Sequence, residues 1–372
     1  MIDPKTNPFT SKIIDVELRV LEIVRGFGQG GAERSLLMRL ERSPTYVRTR
    51  YLNFYPQINR LSVSGSLPGT DLKHPIMKLP ASRREVRSIL NEFKPNVIIL
   101  RTFHDLVLFR VFFGSVLLGQ NLVFDAASEI ISERKIRKLI PTKFIKYLNS
   151  GVKLHIAASK KVAGGIQCLG AQRIMLHYSG ATVNLESKQL LPTIQGIRFL
   201  VVGRLIDLKR PLWILRNVLT VAEDMRKSNS KLTLIGDGDL LCAVKKFVEQ
   251  NNMFDIVEVI GSVSIVDGYY VNSDVLLIGS TFEGLPLTIY EAKQFGLRVL
   301  TTPSGGSHEV LGPEDRVCSD FSEGEFCKQL IQQIRIGKTT ISDRQYRMKI
   351  YRKFSLDAKV QYYYQELKDL FT

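Results

Sequence analysis

The sequence predicts an α/β protein in which two domains each contain a parallel β-sheet flanked by helices. Three observations support this prediction. The chain has 372 residues, a length that suits two domains. Short apolar runs alternate with segments of helical periodicity, as at residues 95–100, 121–124 and 197–202. In both halves a glycine-containing turn follows an apolar run, which is typical of ligand-binding loops at the carboxyl ends of parallel strands.

The composition restricts the class of protein. Hydrophobic residues make up 44% of the chain, which is ordinary for a globular protein and enough for two cores. The first 12 residues are polar, and we expect no signal peptide. The longest mostly apolar stretch, residues 111–124, is shorter than the roughly 18 residues of a membrane-spanning helix. The four cysteines have no C-x-x-C spacing, so we expect free thiols in a reducing cytosol.

The positive charge is concentrated in the first half of the chain. Residues 1–190 contain 29 Lys and Arg against 14 Asp and Glu, whereas residues 191–372 contain 23 against 22. Such asymmetry indicates an anionic partner, either nucleic acid or an acidic membrane surface. No segment resembles a nucleic-acid-binding module, so we expect an anionic membrane surface and no nucleic acid. Residues 133–148 are basic and amphipathic, as in a helix lying in a headgroup layer, but a solvated helix face broken by Pro141 has the same pattern.

The most informative stretch is residues 280–296, STFEGLPLTIYEAKQFG. It follows an apolar run that predicts a buried strand, and Pro286 and Gly296 suit the start and the end of a helix. Glu283 and Glu291 would then lie near the N-terminus of this helix. One carboxylate there could be a simple partner of the helix dipole, but two of them around a glycine-proline turn favour a ligand site.

Two further turns carry candidate ligand groups. Arg204 and Lys209 follow a predicted strand and could converge on one diphosphate leaving group, although two solvated cations are the alternative. Residues 25–34 form a glycine-rich loop whose spacing differs from the dinucleotide motif G-x-G-x-x-G. Gly30 and Gly31 in this loop allow either a tight turn or a close approach to phosphate. His104 follows the strand at residues 95–100, where it could be structural or functional.

These segments resemble the signature motifs of the family-four retaining glycosyltransferases, which have the GT-B fold. Glu283 and Glu291 have the spacing E-x7-E within EGLPLTIYEA, residues 30–34 are GGAER, and residues 203–209 match G-R-L-x-x-x-K. The resemblance implies two Rossmann-like domains facing each other across a cleft. Residues 1–190 would form the acceptor-binding domain, completed by a C-terminal helix over residues 354–372. Residues 191–353 would form the nucleotide-sugar-binding domain.

The resemblance also implies roles for individual residues. Glu283 would hold hydroxyls of the donor sugar, and Glu291 would hold those of the ribose. Arg204 and Lys209 would stabilise the departing diphosphate, and His104 would contact the donor sugar or the acceptor. The remaining donor-binding positions would be Gly30, Gly31, Gly284, Leu285, Pro286, Leu287 and Thr288.

One position departs from the family pattern. Many members have a histidine after the strand at residues 121–124, whereas this chain has Asp125 and Ala126. The departure argues against a histidine-assisted step there, and Asp125 could accept a hydrogen bond from an acceptor hydroxyl instead. Asp237 and Asp239 fit the G-x-G turn of the family better than a D-x-D metal site, and no other cluster of metal ligands is visible.

The resemblance implies transfer of a sugar, with retention of configuration, from a nucleotide sugar to a saccharide or lipid-linked acceptor of lipopolysaccharide or capsule assembly. A UDP- or GDP-sugar would be the co-substrate, without a cofactor or a metal. The protein would be cytoplasmic and peripheral on the inner face of the cell membrane. The alternative is a non-catalytic, membrane-associated scaffold or activator with the same fold. The missing histidine favours this alternative, and the intact acidic and basic residues of the donor site argue against it.

Overall fold

The computed structural model describes residues 16–24, 31–53, 82–101, 103–126, 141–168, 170–181 and 195–372. These residues form two six-stranded sheets, and all neighbouring strands within each sheet are parallel. The architecture confirms the predicted α/β class. The expected domain boundary near residue 190 and the basic residues 133–140 lie outside the described residues.

The first sheet is built from residues 18–176. Its elements are β1 (Leu18–Val24), α1 (Gly31–Glu41), β2 (Val47–Asn53), α2 (Arg83–Phe93), β3 (Val97–Leu100), α3 (Phe103–Phe113), β4 (Leu122–Ala126), α4 (Thr142–Asn149), β5 (Val152–Ala157), α5 (Lys160–Gln167) and β6 (Ile174–Leu176). The strand order is β2-β1-β3-β4-β5-β6. The chain therefore adds β2 on one side of β1 and the later strands on the other, so the order reverses between β1 and β3.

The second sheet is built from residues 198–317. Its elements and the helices that follow are β7 (Arg198–Val202), α6 (Pro211–Thr220), α7 (Ala222–Lys227), β8 (Lys231–Ile235), α8 (Leu241–Gln250), β9 (Val257–Gly261), α9 (Asp267–Val271), β10 (Val275–Ile278), α10 (Leu287–Gln294), β11 (Arg298–Thr301), β12 (Arg316–Val317), α11 (Glu323–Ile336) and α12 (Ile341–Tyr351). The strand order is β12-β11-β10-β7-β8-β9, which reverses between β7 and β10.

The last helix, α13 (Leu356–Phe371), packs against the first sheet. Its buried side chains Val360, Tyr363 and Leu367 share one apolar cluster with Leu18 and Val20 of β1. A second cluster fills the opposite face of this sheet, and two more cover the faces of the second sheet. The final residues of the chain therefore complete the core of its first half.

Local sequence signals explain where several elements begin and end. All four residues of β3 are buried, as the apolar run predicts for a central parallel strand. Ser82 and Glu85 form a capping box at the start of α2. Gly296 follows α10 with φ +74°, the left-handed conformation that glycine adopts without strain. Among the described helices, none is both long and apolar enough to cross a bilayer.

Candidate active site

The reversals of strand order bring the predicted site residues to two crevices. In an open parallel sheet, the loops on either side of a reversal diverge at the carboxyl ends of the strands and leave room for a ligand. In the second sheet, Arg204 and Lys209 follow β7, and Glu283 follows β10. In the first sheet, Gly31 follows β1, and His104 follows β3. Residues far apart in sequence thus lie at the two positions where this fold binds ligands.

Glu283 and Lys209 form an ion pair in the crevice of the second sheet. Lys209 Nζ donates to Glu283 Oε1, which also accepts a 2.7 Å hydrogen bond from Ser280 Oγ. The side chains of Lys209 and Glu283 are 29% and 12% exposed, so the pair is shielded from bulk water yet open on one side. The sequence assigned these residues to different parts of a donor, the diphosphate and the sugar. In the structure the ammonium of Lys209 and the carboxylate of Glu283 lie in contact.

Arg204 is exposed in the turn that leaves β7. Backbone contacts hold this turn beside its neighbours. Thr281 N–H donates to Leu208 O at 3.0 Å, which joins it to the loop after β10. Gly236 has φ +147°, and a Cβ there would lie 1.8 Å from Gly203 O, so the turn after β8 packs directly on it. Only glycine permits this close approach.

In the turn after β8, Asp237 is hydrogen-bonded to the backbone through its side chain. Gly238 N–H donates to the side chain of Asp237 at 2.7 Å. This contact agrees with the interpretation of Asp237 and Asp239 as members of a G-x-G turn. Within the part of the chain that the structure describes, no group of three or more His, Cys, Asp or Glu side chains is placed to hold a metal ion.

Glu291 is buried on the second turn of α10, with 2% of its surface exposed. Its Oε2 accepts a 2.7 Å hydrogen bond from the hydroxyl of Tyr270 in α9. The ring of Tyr270 stacks on Phe295, with centroids 5.5 Å apart. The sequence suggested a position near the helix mouth, but the structure holds this carboxylate against α9. Sequence reasoning missed Tyr270 because no spacing rule links it to Glu291.

The N-terminus of α10 is a candidate anion site beside the ion pair. The helix begins at Leu287, one position later than predicted, because Pro286 is the N-cap. Proline has no side-chain acceptor, so it does not cap the amides of Leu287 and Thr288. These amides and the helix dipole suit a negative group. Gly284 is buried, and Leu285 packs half-buried against the adjacent core.

The first-sheet crevice is described only in part. Gly31 is the first residue of α1, and Gly30 lies outside the described residues. His104 is in the first turn of α3, and its side chain lies outside the described ones. Arg101, at the end of β3, donates to Glu22 Oε2 at 3.3 Å. The roles assigned to Gly30, Gly31 and His104 therefore stay predictions.

Asp125 belongs to a buried network of charges. Its Oδ2 accepts hydrogen bonds from Arg39 at 3.1 Å and from the hydroxyl of Tyr363 at 3.2 Å. Arg39 also donates to Glu22 Oε1 at 2.9 Å. Burial alone would raise the pKa of Asp125, but Arg101 and Arg39 outweigh it and hold this pKa below its usual value. The carboxylate thus ties α1 to α13, in place of the contact with an acceptor hydroxyl considered above.

Comparison with known proteins places these features in a family context. Residues 196–335 match the model of a family described as glycosyl transferases group 1. The amylovoran biosynthesis glycosyltransferase AmsD of Erwinia amylovora is 26% identical over 138 residues, which cover 37% of this chain and 38% of that protein. The UDP-Gal:alpha-D-GlcNAc-diphosphoundecaprenol alpha-1,3-galactosyltransferase of Escherichia coli is 25% identical over 176 residues, covering 46% and 44%. The chain spans less than half the length of the curated relatives it matches.

A solved structure matches nearly the whole chain. HepE of Anabaena, in complex with UDP, has a TM-score of 0.75 and 15% identity, with coverage of 95% of this chain and 100% of that chain. The fold is GT-B. This confirms the predicted fold class. The structural match, at 15% identity, supports the fold alone, and the family match covers residues 196–335.

Proposed function

We propose that this protein is a retaining glycosyltransferase that moves a sugar from a UDP- or GDP-sugar to a saccharide or lipid-linked acceptor in lipopolysaccharide or capsule assembly. The observation that carries the proposal is the ion pair of Lys209 and Glu283 at the strand reversal of the second sheet, before the N-terminus of α10 and in the same crevice as the turn that carries Arg204. The names of the relatives from Erwinia amylovora and Escherichia coli support an acceptor of this kind. The UDP in HepE supports a nucleotide-sugar donor.

The arrangement suits departure of a diphosphate. When the bond between sugar C1 and the diphosphate oxygen breaks, negative charge develops on the diphosphate. Arg204, Lys209 and the first amides of α10 would stabilise this charge without reorganising, which lowers the barrier. The acceptor hydroxyl would attack C1 from the face that the diphosphate leaves and would pass its proton to the departing diphosphate oxygen, so the configuration is retained without a protein nucleophile. Because the chain supplies the positive charge, we propose that no metal is needed.

The ion pair of Lys209 and Glu283 gives donor binding a defined first step. A diphosphate near Lys209 Nζ would compete with the carboxylate for this cation. Glu283 would then be released toward the sugar hydroxyls, still held by Ser280 Oγ. Both partners of a half-buried pair gain new polar partners in this exchange, which limits the cost of separating them.

We further propose that an apolar and basic patch at the end of α3 contacts an anionic membrane. The apolar members Val111, Phe112, Leu118 and Tyr147 are 45%, 53%, 77% and 46% exposed. Tyr147 OH donates to Arg110 O at 3.1 Å, and Arg83 Nε donates to Phe112 O at 2.8 Å, so α4 and α2 both border the patch. Exposed cations on these helices are Arg83, Arg84, Lys143 and Lys146. Apolar side chains between cations suit an acidic headgroup layer, where a lipid-linked acceptor would be found.

The donor is tested by thermal unfolding of the protein with UDP-, GDP-, ADP- and dTDP-sugars, with magnesium and with EDTA. We expect one donor to raise the unfolding temperature selectively, and to do so in EDTA. Glu291→Ala should weaken this stabilisation, and Arg204→Ala should reduce sugar transfer, whereas Arg335→Ala, exposed on α11, should change neither. Stabilisation by no donor would favour the non-catalytic scaffold. Stabilisation only with magnesium would contradict the metal-free mechanism.

The membrane patch is tested by co-sedimentation with phosphatidylglycerol vesicles and with phosphatidylcholine vesicles. We expect salt-sensitive binding to the anionic vesicles only. The pair Phe112→Ser and Leu118→Ser should abolish it, whereas Phe254→Ser, which removes a 69% exposed ring from the second half, should not. Equal binding by both variants would exclude the patch.

A further inference from the structure

The N-terminus of α5 is completed by a residue from the other half of the chain. The first four amides of an α-helix have no partner within the helix. In α5, the third amide donates to the side chain of the N-cap Ser159 at 3.1 Å, and the fourth donates to the Ser159 carbonyl at 2.9 Å as the first regular bond of the helix. The first two, those of Lys160 and Lys161, donate to the carboxylate of Glu309 at 2.7 Å and 3.1 Å. The first three amides of the helix therefore all have side-chain acceptors.

Glu309 accepts a third hydrogen bond from the first half. The hydroxyl of Tyr178, which follows β6, donates to Glu309 Oε2 at 2.8 Å. Burial and the adjacent carboxylate raise the pKa of Tyr178 to about 12, so the hydroxyl stays a donor at neutral pH. Glu309 itself follows β11 of the second sheet. The carboxylate of Glu309 thus accepts three hydrogen bonds across the junction between the two sheets.

The loop that carries Glu309 also supports the donor-site turn. Gly306 N–H donates to Gly284 O at 2.9 Å. Gly305 has φ +63°, and a Cβ there would lie 1.9 Å from Glu283 O. On its other side the loop touches the first half, since a Cβ at Gly306 would lie 2.3 Å from the Cβ of Ser159. One loop therefore contacts the donor-site turn and α5 at the same time.

We propose that residues 304–309 form an interdomain latch in which Glu309 is a positioning residue. The latch fixes the donor-site turn at a set distance from the first half. Its contacts are reversible because the carboxylate, the two amides and the tyrosine hydroxyl lie where water can replace each partner as the halves separate. The consequence for sugar transfer rests on the proposed function: the latch would bring the donor turn to the acceptor domain, without touching substrate.

Two native thiols allow a direct measurement of the latch. Cys168 and Cys242 are exposed, one in each half, while Cys318 and Cys327 are buried. Nitroxide labels on the exposed pair report the distance between the halves by double electron–electron resonance. Glu309→Ala should shift the distance distribution to longer values and broaden it. The control Glu223→Ala removes a carboxylate from an exposed ion pair within α7 and should leave the wild-type distribution.

A steric variant tests the same contact from the other side. Gly306 has φ −90°, so Gly306→Ala adds no backbone strain and acts only through its methyl group. This methyl should push α5 away and shift the distribution as Glu309→Ala does. Ser159→Gly removes the Cβ and Oγ that the methyl would meet at 2.3 Å and 2.7 Å, leaving the carboxylate of Glu309 at 2.9 Å, and should restore most of the distance in the double variant. Wild-type distributions for both Glu309→Ala and Gly306→Ala, in proteins with unchanged thermal unfolding, would overturn the latch.

The two proposals fail in distinguishable ways, because the label distance requires no activity. If no nucleotide sugar stabilises the protein while the variants still shift the distance, the transferase proposal fails and the latch stands. If a donor stabilises the protein but the distances do not change, the latch fails alone. Where transfer is measured, Glu309→Ala should lower kcat by about tenfold or more and leave the donor KM within about twofold, since every donor contact is retained.

Discussion

Replacing Arg39 by methionine should strongly destabilise the first half of the chain. The residue is 5% exposed, and it pairs with Glu22, which is fully buried, and with Asp125, which is 7% exposed. Its guanidinium also lies 4.0 Å from the ring centroid of Tyr363 in α13. Removing one partner of a buried ion pair costs about 3–5 kcal/mol when the remaining charge has no other partner. Arg101 still lies 3.3 Å from Glu22 and 3.7 Å from Asp125, so we expect a loss near the lower end of this range. Methionine keeps an apolar stem of similar length, so the loss of unfolding free energy comes mainly from removal of the charged guanidinium.

Arg42→Met is the matched control. Arg42, the residue after α1, forms a 3.3 Å ion pair with Asp357 of α13, and the two side chains are 46% and 69% exposed. Such pairs contribute about 0–1 kcal/mol. Urea unfolding is followed by circular dichroism for both variants. The loss of unfolding free energy is the change in the urea midpoint multiplied by the slope of the free energy against urea concentration. A loss below about 1 kcal/mol for Arg39→Met, similar to the control, would refute the assignment of the network as the main tie between these helices.

The pH dependence of this loss has a defined sign. The pKa of Asp125 is held below its usual value, so its contribution to the unfolding free energy is complete above that usual value and is lost as the pH falls through the lowered pKa. A protonated Asp125 is neutral, so loss of the Arg39 cation no longer destabilises it. The difference between the wild type and Arg39→Met should therefore be largest near neutral pH and should shrink below about pH 4. A difference that grows on acidification would contradict the argument.

Two further changes test the donor site and the acid response. Tyr270→Phe removes only the hydroxyl that donates to Glu291, a hydrogen bond to a charged group worth about 1.5–3 kcal/mol. Calorimetry should show donor affinity reduced about tenfold or more, against no change for Tyr346→Phe, whose ring is 66% exposed. Burial lowers the pKa of His177 to about 3, so between pH 6.5 and 3 the unfolded chain binds a proton that the folded chain excludes. The unfolding free energy should fall by up to about 1.4 kcal/mol per pH unit on acidification, and His177→Asn should reduce this slope while His308→Asn, at an exposed position, should not.

Local signals in the sequence predicted the strands, the turns and the motif residues. The apolar run before residue 279 is β10, and Gly296 ends α10 because both depend on neighbouring residues only. The short spacings within 203–209 and 283–291 likewise placed candidate residues in loops that the fold brings together. The burial of Glu291 was not predicted, because helical periodicity does not say which neighbouring helix covers a given face.

Contacts between distant segments could not be predicted from the sequence. Tyr363 is 238 residues from Asp125, and Tyr178 is 131 residues from Glu309. Neither pair has a spacing rule, since each depends on how a helix or loop of one half lies on the other. Asp125 therefore looked available to a substrate, although a cation and a hydroxyl already bind it. For Glu309, only its three donors reveal a contact between the halves.

The donor helix α10 also contacts the crossing between the two halves. Gln294, at its last position, donates to Ala181 O at 2.6 Å and to Phe354 O at 3.4 Å. Ala181 ends the described part of the first half, and Phe354 precedes the helix that returns to it. One end of α10 thus lies at the crossing, and the other lies beside the proposed diphosphate site and the turn that the latch supports. We expect a displacement at one end of this helix to move the other. Because coupling between two sites is reciprocal, a donor KM that stays within about twofold in Glu309→Ala implies that donor binding itself changes the opening of the latch by no more than about twofold.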